Sequence, residues 1–329
     1  LIDEENIDSY RQGDAEIAFA CSPKSFATLK SHAEFQFRTL GLDASVLAPE
    51  VVREQYLDSP LQHGASVLRP TFGLHPLRYI RGLSAAAVRQ GAHVHHDSEV
   101  IDWTRAGATH QLHTKSATVR ARKVILATNG FLPEHLHPGF VGQALPMISA
   151  IVVTRPMNAD ELAAHSWQTQ CPTITAVNLL NYFRLLPDGR FLFGGRGSAS
   201  GNPESARRNF LKLRARFQEV FPGWRDIDVD YEWHGLVCMT RRLTPGIGLL
   251  DDDPSVLFGY GFHGNGVNTA TWTGKQLAAW AASGTTESPA SVPRIAQGLP
   301  GRFPVARLRL RYIQAAIAGL RIIDRLNQA

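Results

Sequence analysis

Ser255-Val-Leu-Phe-Gly-Tyr-Gly-Phe-His-Gly-Asn-Gly-Val267 is the stretch on which the reading of this chain turns. Ser255 to Phe258 has the continuous apolar character of a buried strand. Gly259, Gly261 and Gly264 follow in the spacing G-x-G-x-x-G, and a helix is expected from about Val267 to Ala282, stopped by Gly284. Glycines between a strand and a helix let the backbone approach a ligand, and the helix start offers it unpaired N–H groups and the positive end of the dipole. One part of the dinucleotide fingerprint is missing: no second strand with an acidic residue follows about 20 positions on, and Glu287 falls in a Pro-rich stretch. The turn is therefore expected to hold an anionic group without being a pyrophosphate loop. A tight turn with no ligand is the plain alternative.

Working outward, Lys123-Val-Ile-Leu-Ala-Thr-Asn-Gly130 is a second apolar strand ending in small residues, where a ligand can press against exposed backbone. Taken alone, it fits any strand end. Between Ala92 and Leu126 the apolar period is two, and short strands are expected at His93–His96, Ser98–Trp103, His110–Thr114 and Lys123–Ala127. Met147–Thr154, Tyr182–Leu186 and Arg190–Phe193 make a second β-rich region. Helices are expected over Ser25–Leu40, closed by Gly41, and over Pro76–Gln90, with Pro at the start and Gly91 beyond the end. Phe210, Leu213, Phe217 and Val220 share one face of another helix. Helices and strands alternate without a strict βαβ rhythm. The fold class is α/β of the mixed α+β kind, with two mixed domains rather than one doubly wound sheet.

At 329 residues the chain is long enough for about two domains. Its 44% apolar and 19% charged residues exclude a disordered protein. The net charge of +5 is spread along the chain, so no nucleic-acid footprint is present. Cys21, Cys171 and Cys238 lie far apart, which gives neither a disulfide framework nor a thiolate zinc site and fits a reducing compartment. No apolar run approaches the ~18 residues that span a bilayer, and no leader is visible, so a cytoplasmic location is expected. The helix from Arg307 to Arg325 is amphipathic, and its apolar face is expected to dock on its own domain rather than on a membrane.

The two strand ends, taken with the rest of the chain, resemble the FAD-dependent amine and amino-acid oxidoreductases of the D-amino-acid oxidase superfamily, in the gamma-glutamylputrescine oxidoreductase-like branch. The resemblance rests on His75-Pro-Leu77, Ser98-Glu-Val-Ile101, Val124 to Gly130, Tyr182-Phe-Arg-Leu185 with Phe193-Gly-Gly195, Tyr231-Glu-Trp-His-Gly235, Thr244-Pro-Gly-Ile-Gly248 and Gly259 to Val267. It implies a split FAD-binding domain (75–140 and 236–286) interleaved with an antiparallel-sheet substrate domain (1–74 and 141–235), and a C-terminal tail (287–329). The family begins with a βαβ unit whose glycine turn holds the FAD pyrophosphate, and the chain, starting at Leu1, looks like a member lacking that segment. A non-catalytic remnant or binding subunit unable to hold FAD is thus the alternative to an enzyme.

By the same resemblance, Val100 meets the adenine through its backbone, and Ala127, Thr128 and Gly130 lie by the adenosine half. Gly261, Phe262, His263, Gly264, Asn265, Gly266 and Val267 set a helix start against the isoalloxazine ring. The implied reaction oxidises the C–N bond of an amine or amino acid to an imine, with an unidentified electron acceptor. His263 and Arg242 are the candidate catalytic residues: His263 contacts flavin or substrate, and Arg242, or its neighbour Arg241, pairs a substrate carboxylate bidentately. Their plain readings are a solvent-facing turn histidine and a surface arginine. Cys238 is expected to be a buried inert thiol rather than a flavin attachment point. His93, His95 and His96, with Asp97, suggest a metal, but His93 and His95, which share a strand face, have no third ligand at metal-binding spacing, so no metal is assigned.

Overall fold

The computed structural model describes residues 1–132, 134–196 and 203–328. The chain divides into two units, one of Leu1–Gln90, Ile148–Gly235 and Gln314–Ala329, the other of Gly91–Met147 and Leu236–Ile313. Strand order and helix placement are those of a mixed α/β protein with several sheets.

The first unit is organised by an eight-stranded sheet in the order Val229–Met239, Leu145–Pro156, Arg190–Arg196, Asn181–Leu185, Thr173–Thr175, Glu16–Phe19, Ala65–Arg69, Asp43–Leu47. All the registered pairs are antiparallel except Glu16–Phe19 with Thr173–Thr175. Alternation along each strand sends one set of side chains into the core: Ile17, Phe19, Phe183, Phe191 and Phe193 are buried. Phe183 and Phe193 are cross-strand partners, and their rings stack with centroids 5.5 Å apart. Helix Pro203–Val220 closes this layer with Leu213, Phe217 and Val220, the face its 3.6-residue period predicts. Phe221, Trp224 and Trp167 complete the aromatic cluster. Burying each such side chain contributes roughly 1.5–3 kcal/mol.

Helix Pro23–Leu40 begins where Ser22 and Ser25 cap each other reciprocally, and ends at Gly41, whose φ is 65°. Asp324 of the last helix, Arg309–Gln328, accepts hydrogen bonds from the N–H groups of Asn178 and Leu179, and Lys24 donates to Asn327 at 2.9 Å. The tail helix is thus held by polar contacts, while its apolar side chains Ile322, Ile323 and Leu326 are exposed rather than docked as its amphipathic pattern predicts. Among the described residues no helix is long and apolar enough to cross a membrane.

The second unit contains two three-stranded sheets. Asp102–Ala106, Thr109–His113 and Thr118–Ala121 form an antiparallel meander. In the other sheet Val256–Tyr260 is central, antiparallel to Gly246–Leu249 and parallel to Val124–Leu126. Buried His110 ties the two sheets together: Trp103 Nε1 donates to its Nδ1 at 3.2 Å, and its Nε2 lies 2.7 Å from Ser255 Oγ. Helix Gly266–Ser283 packs on the central strand, and it comes so close that a Cβ at Gly259 would stand 2.5 Å from Thr273 Cγ2.

The expected strand at His93–His96 does not form, and the one at Ser98–Trp103 begins only at Asp102. All four residues from His93 to His96 are exposed, so they have no face to bury, and Asp97 turns the chain with φ 52°. Asp43–Leu47 is a strand that no alternating pattern announced; it is the terminal strand of the large sheet and is largely open to solvent.

Candidate cofactor site

Parallel pairing decides where the two glycine-containing segments emerge. Val124 lies opposite Val256, Ile125 opposite Leu257 and Leu126 opposite Phe258. Both strands run in one direction, so Ala127 to Gly130 and Gly261 to Gly264 leave the sheet at the same carboxyl end. In open α/β sheets that edge is where ligands bind. Ala127 and Thr128 are exposed there, and Asn129 to Phe131 form a single 3₁₀ turn.

Asn129 joins the segments directly. Its Oδ1 accepts a hydrogen bond from the Gly261 N–H at 3.0 Å, and its backbone is left-handed with φ 45°. Asparagine tolerates that conformation better than most side chains. Gly130 is partly buried and faces the Leu236 side chain. Val100 lies in the irregular lead-in to Asp102–Ala106, half-buried, and no hydrogen bond links it to the turn among the described residues.

The turn itself is built from unusual backbone. Gly261 has φ +80°, and a Cβ there would collide with the Thr240 methyl; Gly264 has φ +102°, and a Cβ would project into open space. His263 between them also has positive φ, 54°. Phe262 is buried, whereas Gly264, Asn265 and Val267 are exposed. Asn265 is the N-cap of helix Gly266–Ser283; no side chain caps this helix start, and its first turn contains no acidic residue. Among the described residues, the N-cap side chain leaves the opening amides uncapped and no carboxylate stands in the first turn. A helix start of this kind, lacking Cβ atoms at Gly264 and Gly266, fits the edge of a flat, electron-rich ring system or an anion.

His263 is anchored at both ends. Its N–H donates to the Cys238 carbonyl at 3.2 Å, and its Nε2 is 3.2 Å from Thr240 Oγ1. Burial lowers its pKa, partly offset by the Thr244 carbonyl, and so favours the neutral ring. Arg242 Nη1 donates to the Gln297 carbonyl at 2.9 Å, and its Nη2 to those of Pro245 and Gly298 at 2.6 and 3.3 Å. The guanidinium thereby holds the 297–298 segment against the start of the Gly246–Leu249 strand. Cys238 is 1% exposed, and burial raises its thiol pKa to about 11, which leaves it protonated.

Two cavities among the described residues lie elsewhere than the turn. A cavity of 260 Å³ in the same unit is lined by Gly130, Leu132, Glu134, Ala144 and Arg309, with Arg309 Nη1 2.6 Å from Glu134. A larger one, 440 Å³, lies in the first unit against the sheet face bearing Glu16, Ala18, Ser66 and Ile174. Neither includes residues 261–267.

Sequence reasoning did not single out Asn129 or Thr240. Asn129 stood in the open within Ala-Thr-Asn-Gly, where an Asn-Gly pair marks a turn, but its partner is 132 residues away.

The sequence profile described as FAD dependent oxidoreductase (DAO) matches residues 1–280. Over 254 residues the chain is 31% identical to the probable oxidoreductase OrdL of Haemophilus influenzae, covering 76% of this chain and 55% of that protein. Over 285 residues it is 27% identical to the gamma-glutamylputrescine oxidoreductase of Escherichia coli, covering 82% of this chain and 61% of that one. It thus spans little more than half the length of these curated relatives. Among solved structures, a glycine oxidase from Geobacillus kaustophilus superposes with a TM-score of 0.74 at 18% identity, over 88% of this chain and 76% of that one, a likeness of fold.

Proposed function

The chain belongs to the FAD dependent oxidoreductase (DAO) family, and from that membership we propose that it serves in oxidising the C–N bond of an amine or amino acid to an imine. In this reading the second unit holds FAD and the first supplies the substrate side. The observation that carries it is the shared carboxyl end of Val124–Leu126 and Val256–Tyr260, stitched by Asn129 and Gly261.

Bound FAD would supply the two-electron acceptor, so that the carbon beside the nitrogen loses hydride, the nitrogen loses a proton, and water hydrolyses the imine. Val100, Ala127, Thr128 and Gly130 would hold the adenosine half, and Gly261 to Val267 would offer amides to the ring. Such donors would stabilise charge that grows during the reaction, where electrostatic stabilisation is most effective. His263, held neutral by burial, can accept a proton near the turn. Arg242, with its donors given to carbonyls, acts by holding the loop that backs the turn.

The test is direct. The purified chain is titrated with FAD and followed by flavin fluorescence and visible absorption, then screened for turnover against amines and amino acids. Saturable binding with a perturbed flavin spectrum is expected. A colourless protein that cannot be loaded with FAD would overturn this reading in favour of a non-catalytic binding subunit.

A further inference from the structure

We infer that Thr240 is a positioning residue that locks His263 in its Nε2–H tautomer and so keeps Nδ1 available as a hydrogen-bond acceptor for a donor at the turn. The inference deepens the flavoenzyme reading and rests on it for its catalytic meaning, but its geometry stands independently.

Proton counting at one hydroxyl carries the argument. Thr240 is 1% exposed, and its Oγ1 donates to the Thr244 carbonyl at 2.8 Å. A hydroxyl has a single proton, so toward any further partner Thr240 can only accept. That partner is His263 Nε2, at 3.2 Å. Nε2 must therefore carry the ring proton. Nδ1 is left with its lone pair and has no hydrogen-bond partner among the described residues.

Thr240 also fixes where the ring sits. Its methyl occupies the space that a Cβ on Gly261 would need, so the residue that orients the histidine also forms the floor of the turn. The His263 N–H on the Cys238 carbonyl, at 3.2 Å, pins the backbone from the strand that ends just before Thr240. A neutral ring with a free Nδ1 can take the proton of an N–H donor, and the group such a site suits is the ammonium or amine nitrogen of a substrate. The proton would pass from that nitrogen to Nδ1, giving an imidazolium that keeps its Nε2–H on Thr240. No oxidant is needed for this step.

The experiment reads the tautomer without any ligand. Long-range ¹H–¹⁵N spectra of the imidazole rings, with His263→Gln to assign the signal, are expected to show a protonated Nε2 and an unprotonated Nδ1. Thr240→Val keeps the shape but removes the hydroxyl and should give an averaged tautomer, while Thr240→Ser should restore the wild-type pattern. A wild-type ring protonated at Nδ1, or a Thr240→Val spectrum equal to wild type, would overturn the inference. If Thr240→Val does not fold, the wild-type spectrum alone still decides. FAD titration is a separate measurement, so a correct tautomer in a protein that binds no FAD would sink the proposed function and leave the Thr240 assignment standing.

Discussion

The Oδ1 atom of Asn129 lies 3.0 Å from the backbone nitrogen of Gly261 and accepts its hydrogen bond, closing a loop of 132 residues with one contact. Two segments that the chain keeps far apart are thereby set at one edge of the sheet.

Replacing Asn129 with Gly isolates this bond, because glycine accepts the φ of 45° without strain. The loss of one partly buried hydrogen bond costs about 1 kcal/mol. We expect a small fall in denaturation midpoint and FAD affinity weakened roughly fivefold, measured by fluorescence titration. Unchanged affinity would show that the stitch does not shape the ligand edge.

At Gly266, a Cβ would meet only Phe262, at 4.0 Å, so Gly266→Asp is sterically open. A carboxylate in the first helical turn should stabilise the helix by about 0.3–1 kcal/mol. The same charge would repel an electron-rich ring. Thermal stability equal to or above wild type, together with FAD affinity reduced roughly tenfold, is the expected pair of results. Calorimetry and titration on the same preparation check it.

Gly261→Ala should behave in the opposite way. Positive φ and the Thr240 methyl both oppose a side chain there, and the cost is expected at about 2 kcal/mol or more. Urea denaturation should show a clear drop in midpoint.

His165 in the first unit gives a pH signature. It is 5% exposed, its Nδ1–H donates to the Asp58 carbonyl at 2.9 Å, and its Nε2 accepts from the Gly223 N–H at 2.9 Å. Both bonds exist together only in the neutral ring, and burial lowers its pKa from 6.5. The unfolded chain therefore takes up the proton first as the solution is acidified. Stability from this residue is complete above pH 6.5, declines as pH falls below that value, and is fully lost once pH has passed through the lowered folded value. His110, buried and likewise lowered chiefly by desolvation, adds to the same trend. Urea midpoints across this range should fall with acidity, and His165→Asn, less stable overall, should show a flatter slope.

Much of the fold was legible because it is written in local patterns. The helix expected over Ser25–Leu40 ends where Gly41 closes it, though it begins two residues earlier at Pro23, and the buried face of Leu213, Phe217 and Val220 follows from their spacing. The failure at His93–His96 has a physical reason: alternation marks a strand only where one face has something to cover, and these residues are exposed. Asp43–Leu47 was missed for the converse reason, since an edge strand takes its order from the backbone of Ala65–Arg69 rather than from side-chain pattern.

By itself the sequence determined the mixed α/β class, an apolar strand at Ser255–Phe258 and the glycine turn before a helix, because strand, turn and helix preferences act over a few residues. Only the tertiary structure decided that Val124–Leu126 runs parallel beside that strand, that Asn129 reaches Gly261, and that Thr240 stands beneath the turn and meets His263. Such contacts depend on which distant backbones are brought to hydrogen-bonding distance. That is a property of the packed chain as a whole, and no local run of residues carries it.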